Sequence, residues 1–460
     1  MSELLDEAEN AIKEYWPWLF VIILALVLWH YNLLYDVIRE LLPLIGVIIL
    51  GRIAWIFWLH YIQQDFISGI DFVLLEIIPP RDVLRSPKAM ELFITNALYH
   101  MSNKGGKEEY WQGAVWFWFS LEIASIEGQV HFYIRTPTRV RGLIETQMYA
   151  QYPQAQIKEV EDYTLAVDEI SKNSAWNGWG CEFKLEKHEA YPIKTYVDFG
   201  LDEDPKEEYK VDPISPVVEL FGSLGPGEQM WSQIVITPSK KTWHTHGTWF
   251  GKHDWIEESL EELKRLLKPY TNIRINDDGS RSKEVRAPKF FDNVTTAMTA
   301  KTGKVGFETG IRVFYAAKKE AFSMSSRRNL RLIWRQYAKP DCNQLSRHNS
   351  TQGDAYSGIF TASKETVMLL ANRMLREYRE RSFFHEALRQ KIFSKPHFRW
   401  PIPEVFTVDS IIKAYFHPHT FVLNTEEIAT MWHFPGQILK VPTLERIESK
   451  EASPPTNLPM

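Results

Sequence analysis

The sequence predicts an α+β protein: an N-terminal transmembrane helical hairpin, two tandem ferredoxin-like (βαββαβ) units, and a helical C-terminal part. Three observations predict it: two long apolar stretches within residues 15–61, an internal repeat between 70 and 350, and a change to helical patterning afterwards. After an acidic segment, 1–14, comes Tyr15–Leu34 (YWPWLFVIILALVLWHYNLL), which carries no charged residue. That is about the 20 residues a helix needs to cross a hydrocarbon core. Leu41–Tyr61 (LLPLIGVIILGRIAWIFWLHY) is as long but holds Arg52 near its middle. A central Arg costs roughly 2.5–3.5 kcal/mol on insertion scales, which the surrounding Leu, Ile, Val and Phe offset at about 0.3–0.6 kcal/mol each. The alternative is an in-plane helix held by Trp55, Trp58 and Tyr61. The short linker Tyr35–Glu40 would close a two-span hairpin with both ends on one side. Arg81, Arg85 and Lys88 favour a cytoplasmic body at the inner cell membrane.

The soluble remainder is long enough for two or three domains. Its two cysteines, Cys181 and Cys342, exclude a disulfide framework and suit a reducing compartment. A net charge of −5 argues against a globally basic nucleic-acid binder, though not against a local patch.

The first unit, 70–165, opens with the strand Phe72–Ile78, closed by Pro79-Pro80. Ser86-Pro87 starts a helix, Ser as N-cap and Pro at the first helical position, with Met90, Phe93, Ala97 and Met101 at helical spacing. Val115–Ala124 and Val130–Arg135 then read as a hairpin turning at Glu127-Gly128. A helix over Val140–Tyr152 and a strand over Ala155–Val160 complete the split βαβ pattern. The second unit, 175–350, repeats it: a strand at Cys181–Glu186, SPVVELF (Ser215–Phe221) echoing SPKAMELF (Ser86–Phe93), and strands at Gln229–Thr237 and Val305–Ala317. A helix from Ser326 to Tyr337 and a strand near Asn343–Arg347 follow. An insertion, 240–300, carries the helix Ile256–Lys268 with Leu260, Leu263 and Leu267 in one stripe. Residues 351–440 read as helical, with Ala362–Gln390 the longest candidate and Asn424 with Glu427 as a capping box. The Pro-rich 441–460 reads as an extended exit tail.

No phosphate loop of the form G-x-x-x-x-G-K-[ST] and no G-x-G-x-x-G occurs, so ATP hydrolysis by this chain is not expected. His244, His246 and His253 cluster with Asp254, as do His417 and His419, but neither set completes a tetrahedral site. We assign no catalytic, cofactor or metal residues. Arg327, Arg331 and Arg335 fall at i, i+4 and i+8, with Arg328 alongside, a face suited to phosphates or to a partner. Arg373, Arg376, Arg379 and Arg381 form a second set, weakened by Glu377 and Glu380. The alternative for both is a solvated or ion-paired helix face.

LEIIPPR, SPKAMELF, FSLEIASIEGQVHFYIRTP and QMYAQYPQAQIKEVEDY, with GPGEQMWSQIVITP (Gly225–Pro238) and VLNTEEIATMWHFP (Val422–Pro435), together follow a pattern. It resembles the region before the motor in membrane-bound ATPases of conjugation and type IV secretion-like systems. PTLERIESKEASPPTNLP (Pro442–Pro459) resembles the junction leading into a HerA/FtsK-type motor. The resemblance covers most of 70–459 and implies a non-catalytic, membrane-anchored scaffold. Its expected partners are membrane lipid, a separate Walker-motif ATPase and further copies of itself, with nucleic acid as the alternative. Since the motor commonly follows in such proteins and the sequence here stops at Met460, a split system or a truncated frame is expected. The implied ATPase-docking residues are Asn424, Glu427, Trp432 and His433, then Pro454, Pro455 and Leu458; Arg52 is the intramembrane polar residue.

Overall fold

The computed structural model describes residues 31–80, 85–99, 106–202, 212–239, 254–275, 281–285, 288–351, 364–384 and 419–436. The described residues fall into two units: Tyr31–Ile67 with Gly106–Ala114, and the remainder.

In the first unit one helix, α1, runs from Tyr31 to Ser68 without interruption. Among the described residues, Gly46–Ser68 alone is long and apolar enough to cross a membrane. This corrects the expected turn: Tyr35–Glu40 is helix, because Asp36, Arg39 and Glu40 bring polarity without the Gly or Pro that reverses a chain. Most of the first apolar stretch lies outside the described residues. From Val47 to Trp58 the side chains are exposed on every side except at Arg52, which is half-covered.

The second unit is an α+β layer structure built on an antiparallel sheet. Its first strands are β1 (Phe72–Ile78), β2 (Phe119–Ile126), β3 (Gln129–Pro137) and β4 (Gln156–Val160). A later set is β5 (Trp176–Leu185), β6 (Glu228–Pro238), β9 (Gly306–Lys318) and β10 (Leu345–His348). The order across the sheet is β10-β5-β9-β6-β2-β3-β1-β4. Each half therefore lies in the order fourth, first, third, second, and the halves join where β2 pairs with β6. The β2–β3 hairpin turns at Glu127 and Gly128 with φ of 54° and 90°, the left-handed pair that a two-residue turn requires. A further strand, β11 (Phe421–Asn424), pairs with Thr309–Gly306, the stretch of β9 beyond its register with β5.

Helices cover both faces. On the first lie α2 (Lys88–Phe93), continued by a wider turn to Leu98, α4 (Arg141–Gln151), α5 (Ser215–Gly222), α8 (Met324–Leu330) and α10 (Thr425–Met431). With the segments that follow α8 and α10, they bury Phe93, Met148, Phe221, Trp334 and Trp432 against Leu121, Ile123, Phe132 and Val313. On the other face α9 (Lys364–Glu380) lays Leu370, Met374 and Tyr378 against Trp231 and Phe314. The insertion holds α6 (Trp255–Leu267), the hairpin β7 (Thr271–Ile275) with β8 (Arg281–Val285), and α7 (Lys289–Thr302). Leu263 and Leu266 pack there beside Val294 and Met298, while Leu260 stays exposed.

Two further expectations change. The helix expected from Ser326 to Tyr337 ends at Leu330 and tightens into a 3-10 turn at Arg335–Tyr337. The C-terminal part is not wholly helical, since Phe421–Asn424 completes the sheet.

Candidate functional site

One register line crosses the whole sheet. His348 pairs with Glu182, Glu182 with Arg312, Arg312 with Gln233, and Gln233 with Glu122. Glu122 then pairs with Tyr133, Tyr133 with Glu76, and Glu76 with Lys158. Residues paired across strands share a face, so eight polar side chains form one belt on the face of the sheet that α9 covers in part. It is exposed at Lys158 and fully buried at Glu122, Gln233, Arg312 and Glu182.

Buried charge is stable only when each group finds partners. Glu122 accepts from Ser120 Oγ (2.6 Å), Gln233 Nε2 (3.1 Å), Tyr163 Oη (2.7 Å), Arg381 Nε (2.9 Å) and Arg381 Nη2 (3.2 Å). Tyr163 also meets the Tyr378 hydroxyl at 2.9 Å, and burial raises both phenols well above their ordinary range. Arg381 extends to Asp162. Burial pushes that carboxyl up, but its bonds from Arg381 and Thr164 win and hold it below the usual carboxylate range. At the other end Arg312 donates through Nη2 to Glu182 (2.6 Å) and Glu377 (3.3 Å). Asn349 donates to Glu182 (2.7 Å), and Arg373 to Glu377 (2.7 Å). Burial raises Glu377 despite Arg312 and Arg373.

The sheet admits α9 closely because glycines lie beneath the covering chain. A Cβ at Gly310 would stand 2.3 Å from the Phe383 ring, and one at Gly180 would stand 2.8 Å from Met374. Chemically the belt's central carboxylates and guanidinium groups hold one another, an arrangement that locks a helix onto a sheet.

The expected site residues fall elsewhere. Asn424 and Glu427 do form the capping box: Asn424 Oδ1 accepts from Glu427 N (2.8 Å) and Glu427 Oε2 from Asn424 N (2.9 Å). Both are buried, and Glu427 pairs with the equally buried Lys301 at 3.0 Å. Trp432 donates from Nε1 to the Glu122 carbonyl (3.2 Å), reaching β2 from the apolar side. His433 meets Ala429 O and Asp212 Oδ1, each at 2.9 Å. Against the upward push of burial, His433 holds the Asp212 carboxyl below its ordinary range. These four side chains are therefore engaged inside the chain and fasten its C-terminal segment. Pro454, Pro455 and Leu458 lie outside the described residues, as do His244, His246, His253 and His417.

Arg327, Arg328, Arg331 and Arg335 do not share one helix face. Beyond Arg331 the hydrogen bonds run three residues back, as in Ile333 to Leu330 and Tyr337 to Trp334. At about three residues per turn, an i+4 neighbour rotates off the face. Arg327 lies over the Trp179 ring at 5.8 Å; Arg328 and Arg335 are exposed. Asp254 caps α6 by accepting from Ile256 N. Among the described residues no group of three His, Cys, Asp or Glu is arranged to hold a metal. Sequence reasoning missed Arg312, since a lone Arg in an apolar strand carries no local mark of its partners, and it placed Arg381 in the second arginine set without reaching Glu122 or Asp162.

No curated protein matches this chain. A family model described as a domain of unknown function (DUF8128) matches residues 74–389, which take in both halves of the sheet and the helix locked over it. On that match, over more than half its length, the chain belongs to the DUF8128 family.

Proposed function

We propose that this chain is a membrane-anchored, non-catalytic scaffold of a conjugation or type IV secretion-like translocation system, docking a separate HerA/FtsK-type ATPase. The observation that carries the anchor is α1, whose apolar side chains are exposed all round from Val47 to Trp58, as a helix surrounded by lipid requires. The sequence resemblance supplies the kind of apparatus. The non-catalytic reading is supported by the belt, whose central charged groups bond to one another.

The strand order in each half supports reading the sheet as two ferredoxin-like units joined edge to edge. Such units, held at the inner membrane with the body on the cytoplasmic side, would contact further copies of the chain. The free, buried Cys181 and Cys342 fit a reducing compartment. With Asn424, Glu427, Trp432 and His433 buried, the ATPase would dock on Pro454, Pro455 and Leu458 and on exposed surface.

The test is purification of the tagged chain from its native membrane in mild detergent, with mass spectrometry of what accompanies it. Stoichiometric recovery of a Walker-motif ATPase is expected; recovery of the chain alone, or robust ATP hydrolysis by it, contradicts the proposal. A second reading, tethered nucleic-acid binding, rests on the exposure of Arg328 and Arg335. It predicts affinity that falls steeply with salt and collapses when both become alanine.

A further inference from the structure

Residues 106–114 pack with α1 instead of with the sheet on either side of them in sequence. Their short helix, α3 (Gly106–Trp111), puts Tyr110 against Trp55 and Trp111 edge-on to Trp58, each at 5.9 Å between ring centroids. Trp58 Nε1 donates to the Tyr110 carbonyl at 3.2 Å. Gly113, at φ +66°, seats the segment: a Cβ there would lie 2.2 Å from the Ile62 carbonyl oxygen. Trp111 stays 65% exposed and Tyr61 68% exposed, while Lys107, Glu108 and Glu109 are exposed beside them. A charged flank beside exposed amphipathic rings is the pattern of a bilayer interface.

Resting on the anchor reading, we infer that Trp55, Trp58, Tyr61, Tyr110 and Trp111 form an aromatic collar at the lipid headgroups. Gly106–Ala114 is then a membrane-interface element that fixes how deep α1 sits. Trp55 to Tyr61 rises about 9 Å along the helix, enough to cross one headgroup layer of roughly 5–7 Å. From Leu41, just past Asp36, Arg39 and Glu40, to Ala54, the last residue before the collar, is about 14 residues, or ~21 Å, shorter than a ~30 Å hydrocarbon core, a mismatch that local thinning of the bilayer accommodates. Charge thus bounds one end of the span and the collar bounds the other.

The test places nitroxide labels on the full chain through Ile49→Cys, Gln112→Cys and Glu108→Cys in phosphatidylcholine–phosphatidylglycerol vesicles. The unlabelled-site background is taken from the native chain, whose two cysteines are buried. Collision rates with oxygen and with a water-soluble nickel chelate report depth. Expected are a deep label at 49, a headgroup-level label at 112 and an aqueous label at 108, with 112 moving into water once Tyr110→Ser and Trp111→Ser are added. A deep 49 with an aqueous 112 overturns the collar and leaves the anchor standing. An aqueous 49 overturns both.

Discussion

The two faces of the sheet solve the same burial problem in opposite ways. The first is closed by apolar volume: Phe93, Met148, Phe221, Trp334 and Trp432 interdigitate with strand residues. The second is closed by α9 over a belt of charge, with Glu122, Arg312, Glu182 and Arg381 all but inaccessible. Apolar packing is non-directional and tolerates small shifts. A buried ion pair penalises any arrangement that leaves one partner alone, by about 3–5 kcal/mol. The apolar face therefore supplies most of the stabilisation, and the charged face dictates where α9 must lie.

That contrast breaks first at Arg312. Arg312→Met leaves buried Glu182 with Asn349 but no cation and Glu377 with Arg373 alone, and is expected to cost about 3–5 kcal/mol. Adding Glu182→Met and Glu377→Met should restore at least half of that, because buried pairs replaced together by apolar residues are often neutral. Phe93→Ala on the apolar face is expected to cost about 3–4 kcal/mol, with no second substitution that relieves it simply by removing a charge. Denaturant unfolding of the detergent-solubilised chain measures both; equal rescue on the two faces would erase the distinction.

Smaller effects sharpen it. Asn424→Ala removes the capping box that starts α10 and should cost about 1 kcal/mol, read from the same unfolding midpoints. The acid limb should carry Asp162. Its carboxyl is held below the ordinary range in the fold, while the unfolded chain takes up the proton near pH 4. Its contribution is thus complete above that pH and fades as pH falls through the lower folded value. Asp162→Asn should flatten the loss of stability below pH 4 relative to the native chain; an unchanged slope would remove Asp162 from the network.

Much of this architecture was legible locally. The run Phe72–Ile78 is mostly apolar and closed by Pro79-Pro80, Glu127-Gly128 admits the turn its strands need, and Asn424 with Glu427 sit three apart ahead of an apolar stretch. What escaped depends on partners distant in sequence. Arg381 meets Glu122 across 259 positions and Arg312 meets Glu182 across 130, so neither pair leaves a local pattern. Arg373 and Arg381 belonged to a set that resembled a solvated face, yet both bind carboxylates under α9. The Arg327–Arg335 spacing misled for another reason: it assumes 3.6 residues per turn through a stretch that tightens to three. Tyr35–Glu40 misled because charge between apolar stretches resembles a connection, although nothing in those six residues forbids helix.

The central claim is that the buried charges fix where α9 lies on the sheet, beyond the apolar contacts of Leu370, Met374 and Tyr378. Hydrogen exchange by mass spectrometry on the full chain, native against Arg312→Met, tests it most directly. The account predicts that the amides of Lys364–Glu380 lose protection selectively, while Arg141–Gln151 and Thr425–Met431 on the apolar face keep theirs. Protection lost evenly over both faces, or unchanged in α9, would contradict it.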